Sequence, residues 1–520
     1  MRKLRLLGIL ATSAALFAVC APSAAVADGS DPGLGAANKA EDAIVALDYD
    51  KAREILAKAD PNSPAVGLAK ARLALYEEDC DLAAALMSRR ELGIASADGQ
   101  IVGDVSRGCA RVTAATVIEK DEAQGVQIRF QDQDDRALFP MMVETVVKAR
   151  ASLTKDLGVD WKRPTRITVV RDLLSLSAMT GLPYQSAQTT GTVAVAKWGR
   201  VTILSPRASH RGYPWRDTLT HEMTHLAISM QSRERAPLWL HEGVARRQEV
   251  RWREPGPFDD RPSPDSVVMR GMELKLDLQL DRLGPSIAML PSADAAMVAF
   301  AEVTSFVRFF VESMAERGMP DALAKLLVTL RTAKDVDDAL KQVSTETLAQ
   351  WDVKWRANLA KKPKEPLNPL YGLGGPLPGG SDTRERSRLA ELLLGRNHPT
   401  EAFMEIDKIP DNLLPDPSLR YIRGRILEAK GDPAAAEALV ADPKTWIASF
   451  GPCWALRARL EKARGDAALG ASSSSEALAH DPLSIEAACG TADGQTSSPA
   501  GGMPLCDAAK KRGEPDVGRD

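Results

Sequence analysis

His221-Glu222-Met223-Thr224-His225 and Trp239-Leu240-His241-Glu242-Gly243 are the two stretches that decide how this chain is read. Side chains four apart on a helix share one face. A helix over the first stretch therefore aims the imidazoles of His221 and His225 at one point, with the carboxylate of Glu222 beside them. Arg233, Glu234, Arg235 and Pro237 interrupt the pattern. A second helix starting near Pro237 can run back against the first and carry Glu242 to the open side of the histidine pair. Two imidazoles and one carboxylate leave a tetrahedral cation one open position, which a catalytic zinc needs and a structural zinc does not. No cysteine stands near in sequence to close such a shell, the nearest being Cys109 and Cys453. The five-residue pattern also arises by chance on solvated helices. Here the uncharged flanks Thr218-Leu219-Thr220 and Leu226-Ala227-Ile228 predict a buried helix instead.

The pair of motifs resembles the gluzincin zinc peptidases, in particular the peptidase-MA-like group whose second motif reads Trp-Leu-x-Glu-Gly. The likeness covers roughly Gly125 to Lys362, with specific motifs only at 221–225 and 239–243. It implies His221, His225 and Glu242 as Zn²⁺ ligands and Glu222 as general base, taking a proton from a zinc-activated water and passing it to the leaving amine. Gluzincin aminopeptidases carry a Gly-x-Met-Glu-Asn segment upstream of the zinc helix that holds the substrate amine. Nothing like it precedes His221, and Gly271-Met272-Glu273 lies downstream and ends in Leu274. Endopeptidase action is accordingly the expectation.

The chain also departs from the family in its oxyanion donor, a group whose loss costs several kcal/mol of barrier. No tyrosine occurs between Glu242 and Tyr371, and Phe300 stands where relatives often have one. His210 and Tyr213 are the candidate substitutes, with ordinary loop residues as the alternative. A metal-bound histidine passes its other ring N–H to a carboxylate or carbonyl. One turn after Glu242, where some gluzincins have that carboxylate, this chain has Arg246, so Asp217 or Glu249 is expected to serve. His241 points about 100° away from its neighbour Glu242, which predicts a packing or rim residue rather than a fourth ligand.

Arg2, Lys3 and Arg5, the apolar run Leu6 to Val19 and Ala25-Val26-Ala27 have the layout of a secretory signal peptide over residues 1–27. This predicts export to a periplasm or the exterior. Lipid attachment at Cys20 is the less favoured alternative, because Val19 is a poor residue before a lipoprotein cysteine. Loss of those three cations takes the formal net charge from −3 to −6, which argues against nucleic acid or a polybasic membrane surface as partner. No later run is apolar for the roughly 20 residues a membrane helix needs. Cys80 with Cys109, and Cys453 with Cys489 or Cys506, are the local disulfide pairs an oxidising compartment permits.

The fold class expected is α+β: a zincin-like metallopeptidase domain with a small mixed sheet and an active-site helix, flanked by all-α regions. An alanine- and leucine-rich helical region spans 28–122, and its breaks at Asp60-Pro61 and Glu78-Asp79 resemble degenerate tetratricopeptide or related helical-hairpin repeats. The metallopeptidase domain spans 123–360. Within it Val126, Ile128 and Phe130 alternate with polar residues as in a half-buried strand. A helix follows from about Phe139 to Leu157 and a strand from Ile167 to Val170. Gly191 to Ala196 and Arg200 to Leu204 form a hairpin turning at Lys197-Trp198-Gly199. That hairpin is either the upper rim of a peptide-binding cleft or an ordinary sheet edge. Helices over Val298 to Ala315 and Pro320 to Leu330 pack beneath the site, and Trp351 and Trp355 in Thr345 to Leu359 serve as core.

A Pro- and Gly-rich linker over 361–383 leads to tetratricopeptide-like repeats over 384–490, where Gly395-Arg396, Gly431-Asp432 and Gly465-Asp466 recur 36 and 34 residues apart. A flexible tail occupies 491–520. The leading expectation is an exported zinc endopeptidase acting on proteins or peptides, with helical repeats recruiting substrates or protein partners. The alternative is a tetratricopeptide-like scaffold whose peptidase-like domain is inactive or holds zinc structurally.

Overall fold

A computed structural model describes residues 31–507 apart from 90–91, 93–96, 209–212, 256–258, 260–261, 285, 366, 368–372, 374–379, 410–415, 444–449, 482–483 and 491–505. The expected signal peptide, Cys20 and His210 lie outside the described residues, as does most of 491–520. The described chain is mostly helical around one five-stranded mixed sheet, in keeping with an α+β class. None of its helices is long and apolar enough to cross a membrane.

The strands are β1 (Val117–Asp121), β2 (Val126–Phe130), β3 (Thr165–Val170), β4 (Ala194–Lys197) and β5 (Arg200–Leu204), in the order β1-β2-β3-β5-β4. β2, β3 and β5 run parallel; β1 and β4 lie antiparallel at the two margins. The β4–β5 hairpin turns on Trp198 (φ 56°) and Gly199 (φ 65°). Positive φ at both central residues matches the right-handed twist of the strands. Gly199 also has no room for a side chain, since a Cβ would sit 2.8 Å from both the Tyr49 hydroxyl and Tyr76 Cδ1.

Register sorts the strand residues onto two unlike faces. Val126, Ile128, Phe130, Ile167, Val169, Val201 and Ile203 belong to the larger core. That core is covered by a helix at Phe139–Leu157, which starts on Pro140 and stops at the left-handed Gly158. It is completed by helices at Trp215–Ser232, Leu238–Gln248, Ala293–Glu316 and Leu348–Leu359, the last with Trp351 and Trp355 fully buried. These agree with the helices and the core tryptophans read from the sequence.

The opposite face is polar, and helices cover it too. Leu34–Val45, Tyr49–Lys58, Pro64–Tyr76 and Cys80–Met87 are short helices, the last three capped by Asp48, Ser63 and Asp79 accepting backbone N–H bonds. A longer helix, Ala97–Thr113, follows them. Between Pro64–Tyr76 and Cys80–Met87, Glu78 adopts a left-handed φ of 65° and inserts its carboxylate over the sheet. There it accepts from Arg129 Nε at 3.0 Å, Gln127 Nε2 at 3.0 Å and Thr168 Oγ1 at 2.9 Å. Arg166 and Arg200 donate to the carbonyls of Tyr76 and Leu75, at the helix end where carbonyls lack intrahelical partners. Two differences from the sequence reading follow. Val117–Asp121, placed in the helical region 28–122, is a sheet strand. That region also shares one hydrophobic core with Val170, Leu176, Met179 and Leu204 rather than having its own.

Residues 361–383 are not all free linker. Lys362 Nζ lies 2.6 Å from Asp265, Glu365 N donates to Ser266 Oγ, and Leu373 is buried with its carbonyl bonded to Arg270. Helices then pair as Gly380–Leu394 with Pro399–Ile406, Pro417–Ala429 with Pro433–Val440, and Gly451–Ala463 with Ala467–His480. The second members start 34 residues apart, at Pro399, Pro433 and Ala467. Gly431 and Gly465 take left-handed φ values of 82° and 94°, and Asp432 and Asp466 cap the helix that follows each. In the first pair Asn397, not Gly395, takes the left-handed position.

Cys80 and Cys109 form a disulfide, as one of the sequence-derived pairings has it. The second bridge corrects the other: Cys489 joins Cys506, while Cys453 is a buried free thiol. Burial pushes that thiol up to about 12, which leaves it un-ionised. Cys506 is buried beside Ala477 and Ala488, so the segment expected as a flexible tail is tied to the last helix at this point.

Candidate metal centre

The helix Trp215–Ser232, here α1, presents the first motif, and Leu238–Gln248, here α2, presents the second. α1 ends on Arg233 (φ 53°) and Glu234 (φ 56°), two consecutive left-handed residues that reverse the chain. Pro237, extended at ψ 160°, then starts α2 with its fixed φ. Ala236 N donates to Ser232 Oγ at 3.3 Å and tightens the corner. Gly243 decides how deep α2 sits, because a Cβ there would fall 2.4 Å from Val307 Cγ2 and 2.5 Å from the Val303 carbonyl. Beside it, Trp239 is buried edge-on against Phe306, ring centroids 5.2 Å apart.

This packing brings Glu242 to the histidine pair. Glu242 Oε2 lies 3.5 Å from His221 Nε2 and 3.7 Å from His225 Nε2, and one ligand atom from each residue falls within 4.8 Å of the others. Tetrahedral bonds of about 2.0–2.2 Å place ligand atoms roughly 3.4 Å apart, so the carboxylate-to-imidazole spacings fit a single small cation after slight closure. Among the described residues this is the one group of three or more His, Cys, Asp and Glu side chains with such a spacing.

Each imidazole has a partner on its far side. His221 Nδ1 is 3.0 Å from Glu249 Oε2, and Arg246 Nη1 holds both oxygens of Glu249 at 2.9 and 3.1 Å. Of the two carboxylates the sequence offered for this role, Glu249 is the one in place. Asp217 is bonded instead to Arg253 and to Trp252 Nε1. His225 Nδ1 is 3.4 Å from His241 Nδ1. His241, expected to pack or sit on a rim, is thus a neighbour of a ligand candidate and lines the cavity.

Electrostatics separate the members of the cluster. Burial opposes charge on His221, but its contacts with Glu242 and Glu249 outweigh that and raise it to about 10. Burial lowers His225 to about 3 and His241 to about 4, so both are neutral near pH 7. Burial resists ionisation of Glu242 too, yet His225 and His221 draw it down to about 2. Glu222 goes the other way: burial, helped by the charge of Glu242 and opposed by His221, lifts it to about 7. The nearby backbone N–H of Ala196 on β4 opposes this rise only weakly.

A cavity of about 370 Å³ opens over the cluster. One wall is the edge strand β4, contributing Ala194 to Lys197; another is Phe300 with Leu238 and Met289. Phe300 therefore does reach the cavity, with the Arg246 guanidinium 5.6 Å above its ring. The Tyr213 hydroxyl donates its hydrogen bond to the Leu204 carbonyl, and Tyr213 is not among the lining residues. Val45, Leu47 and Tyr76 from the first helices form a third wall that no local pattern in the sequence marks, because their partners are more than a hundred residues away.

No protein-family model, no curated protein and no solved structure matches this chain.

Proposed function

We propose that this protein is an exported zinc-dependent endopeptidase of gluzincin type, in which His221, His225 and Glu242 hold the metal and Glu222 is the general base. The observation that carries the reading is the convergence of those three ligand atoms within 4.8 Å beside a second, buried carboxylate, Glu222, facing a cavity. Zinc bound there supplies a Lewis acid that lowers the pKa of water toward neutrality.

Glu222 accepts the proton of the attacking water on its carboxylate and delivers it to the nitrogen of the departing amine. A carboxylate placed beside the metal site can take up and return a proton in this way. β4 has β5 on one side only, so its outer edge offers backbone N–H and C=O groups to an extended peptide. A metal on His225 Nε2 would leave the Nδ1 proton of His225 to face His241 Nδ1 at 3.4 Å, and His241, which lines the cavity, would then carry its own proton on Nε2 as the candidate oxyanion donor. The paired helices before and after the domain recruit protein substrates or partners, in the manner of tetratricopeptide arrays.

A scaffold with an inactive peptidase-like domain is the second reading. It is favoured by Phe300 in the cavity and by the committed hydroxyl of Tyr213. Zinc analysis together with cleavage of unfolded casein by the full chain and by Glu222→Gln separates the two. The enzyme reading expects one zinc per chain in both and cleavage by the first alone. Stoichiometric zinc with equal inertness would establish the scaffold.

A further inference from the structure

We propose that the cavity contains a second recognition element, a subsite for a cationic side chain of the substrate, formed by Glu234 with Tyr76 and Trp198 about three residues from the bond to be cut. The inference rests on the peptidase reading for the word substrate, and its geometry stands apart from the metal cluster.

Glu234 lines the same cavity as His221, His225 and Glu242 but follows the end of α1, nine positions after His225. A helix rises 1.5 Å per residue, so its carboxylate is on the order of 10 Å further along, and an extended peptide covers that distance in roughly three residues. The corner that reverses the chain holds Glu234 in a left-handed conformation at φ 56°. Its backbone N–H is fixed by the Ser229 carbonyl at 3.0 Å. The carboxylate accepts one bond, from the Tyr76 hydroxyl at 3.3 Å. Among the described residues no Lys or Arg is within ion-pair distance of it.

The surroundings suit the aliphatic stem of a lysine or arginine. Tyr76 stands edge-on to Trp198, ring centroids 6.1 Å apart, with Lys197 Nζ 5.0 Å from the centre of the Trp198 ring, and Leu47 and Met230 line the same cavity. Long cationic side chains bury such stems while the head group meets a charge or water. Burial keeps the Glu234 carboxyl up at about 7 despite the Tyr76 bond and the fields of Arg72 and Lys197, with Glu41 adding repulsion. A partner bringing a positive charge would relieve this. The strand points the same way: Ala194 to Lys197 of β4 line the cavity together with Glu222, and the chain continues to Trp198, whose neighbour Tyr76 bonds Glu234, so a peptide laid along β4 would run toward Glu234.

The test uses the full chain carrying Glu222→Gln, which removes cutting, and fluorescein-labelled blocked heptapeptides that differ only in lysine, norleucine or glutamate scanned along the sequence. Anisotropy should show binding about tenfold tighter for lysine than for norleucine at one position, with glutamate weakest, since a charge-assisted bond is involved. Adding Glu234→Gln should bring the lysine-to-norleucine ratio close to one, and adding Glu234→Lys should invert the lysine-to-glutamate order. Equal binding of lysine and norleucine peptides at every position, in protein that retains Glu234, would overturn the subsite without needing any change at 234. Casein cleavage by the unsubstituted chain is read separately, so a failure of the peptidase reading is not mistaken for a failure of this one.

Discussion

The Nδ1 atom of His221 lies 3.0 Å from Oε2 of Glu249, a carboxylate two turns beyond Glu242 at the end of the same helix. Where a family pattern would put an acid one turn after the third ligand, Arg246 stands instead and braces Glu249 from outside. The far-side carboxylate is thus supplied one turn later. A partner of this kind fixes the tautomer that leaves Nε2 as the coordinating atom and makes the imidazole more basic. Glu249→Gln should weaken zinc binding by about 10- to 100-fold, read by competition with a chromophoric chelator. Unchanged affinity would reduce the His221–Glu249 contact to packing.

Metal binding should expel protons. In the metal-free cluster at pH 7, His221 at about 10 is charged, while His225 at about 3 is neutral and Glu242 at about 2 is ionised. A cation on His221 Nε2 must displace that proton, and Glu222, near 7, loses part of another as a positive charge arrives. Between one and two protons should leave per zinc. Titration calorimetry at pH 7 in buffers of differing ionisation enthalpy measures the number, and zinc affinity should fall as the solution is made more acid. Zero release would mean that His221 does not ligate.

Gly243→Ala tests the packing that carries Glu242. The added methyl meets Val307 and the backbone of Val303 at about 2.5 Å, and the backbone carbonyl cannot rotate aside as a side-chain tip would. The helix must lift from the long helix Ala293–Glu316. Overpacking of this kind costs about 1–3 kcal/mol, visible as a lower midpoint in urea, and zinc affinity should fall with it because Glu242 moves along with the lifted helix. Full stability with full zinc binding would show that the glycine is dispensable.

Local pattern carried much of this architecture and part of the site. The 2-residue period of Val126, Ile128 and Phe130, the helix bounded by Phe139 and Gly158, and the turn at Trp198-Gly199 are set by neighbours in the chain, and they lie where the sequence places them. The four-residue spacing put His221 and His225 on one face, and Glu242 meets them. What local pattern misses has distant partners. Arg129, Arg166 and Arg200 look like a solvated strand face. Arg129 bonds Glu78, Arg166 and Arg200 donate to the carbonyls of Tyr76 and Leu75, and a helical layer covers the face. β1 finds its pairing partner in β2 and not in the helices before it, and Cys489 pairs with Cys506 instead of either one with Cys453.

Glu302 is fully buried on the long helix, and its two oxygens accept from Leu278 N at 3.2 Å each. Burial, aided by Asp277 and Asp352 and only partly opposed by the Leu278 bond and Arg356, raises its carboxyl to about 8. In the unfolded chain the same group titrates near 4.3. Between those values the folded protein binds the proton more tightly, so this residue's contribution is fully present below about pH 4 and declines as the pH rises toward 8. Glu302→Gln keeps an oxygen for the Leu278 N–H and cannot ionise. It should be close to neutral in acid and stabilising by up to about 5 kcal/mol at pH 8.5, so the difference in urea midpoint between variant and parent should widen with pH. A difference that stays constant from pH 5 to 8.5 would mean that Glu302 is ionised throughout that range and that polar contacts at Leu278 are enough to hold its charge.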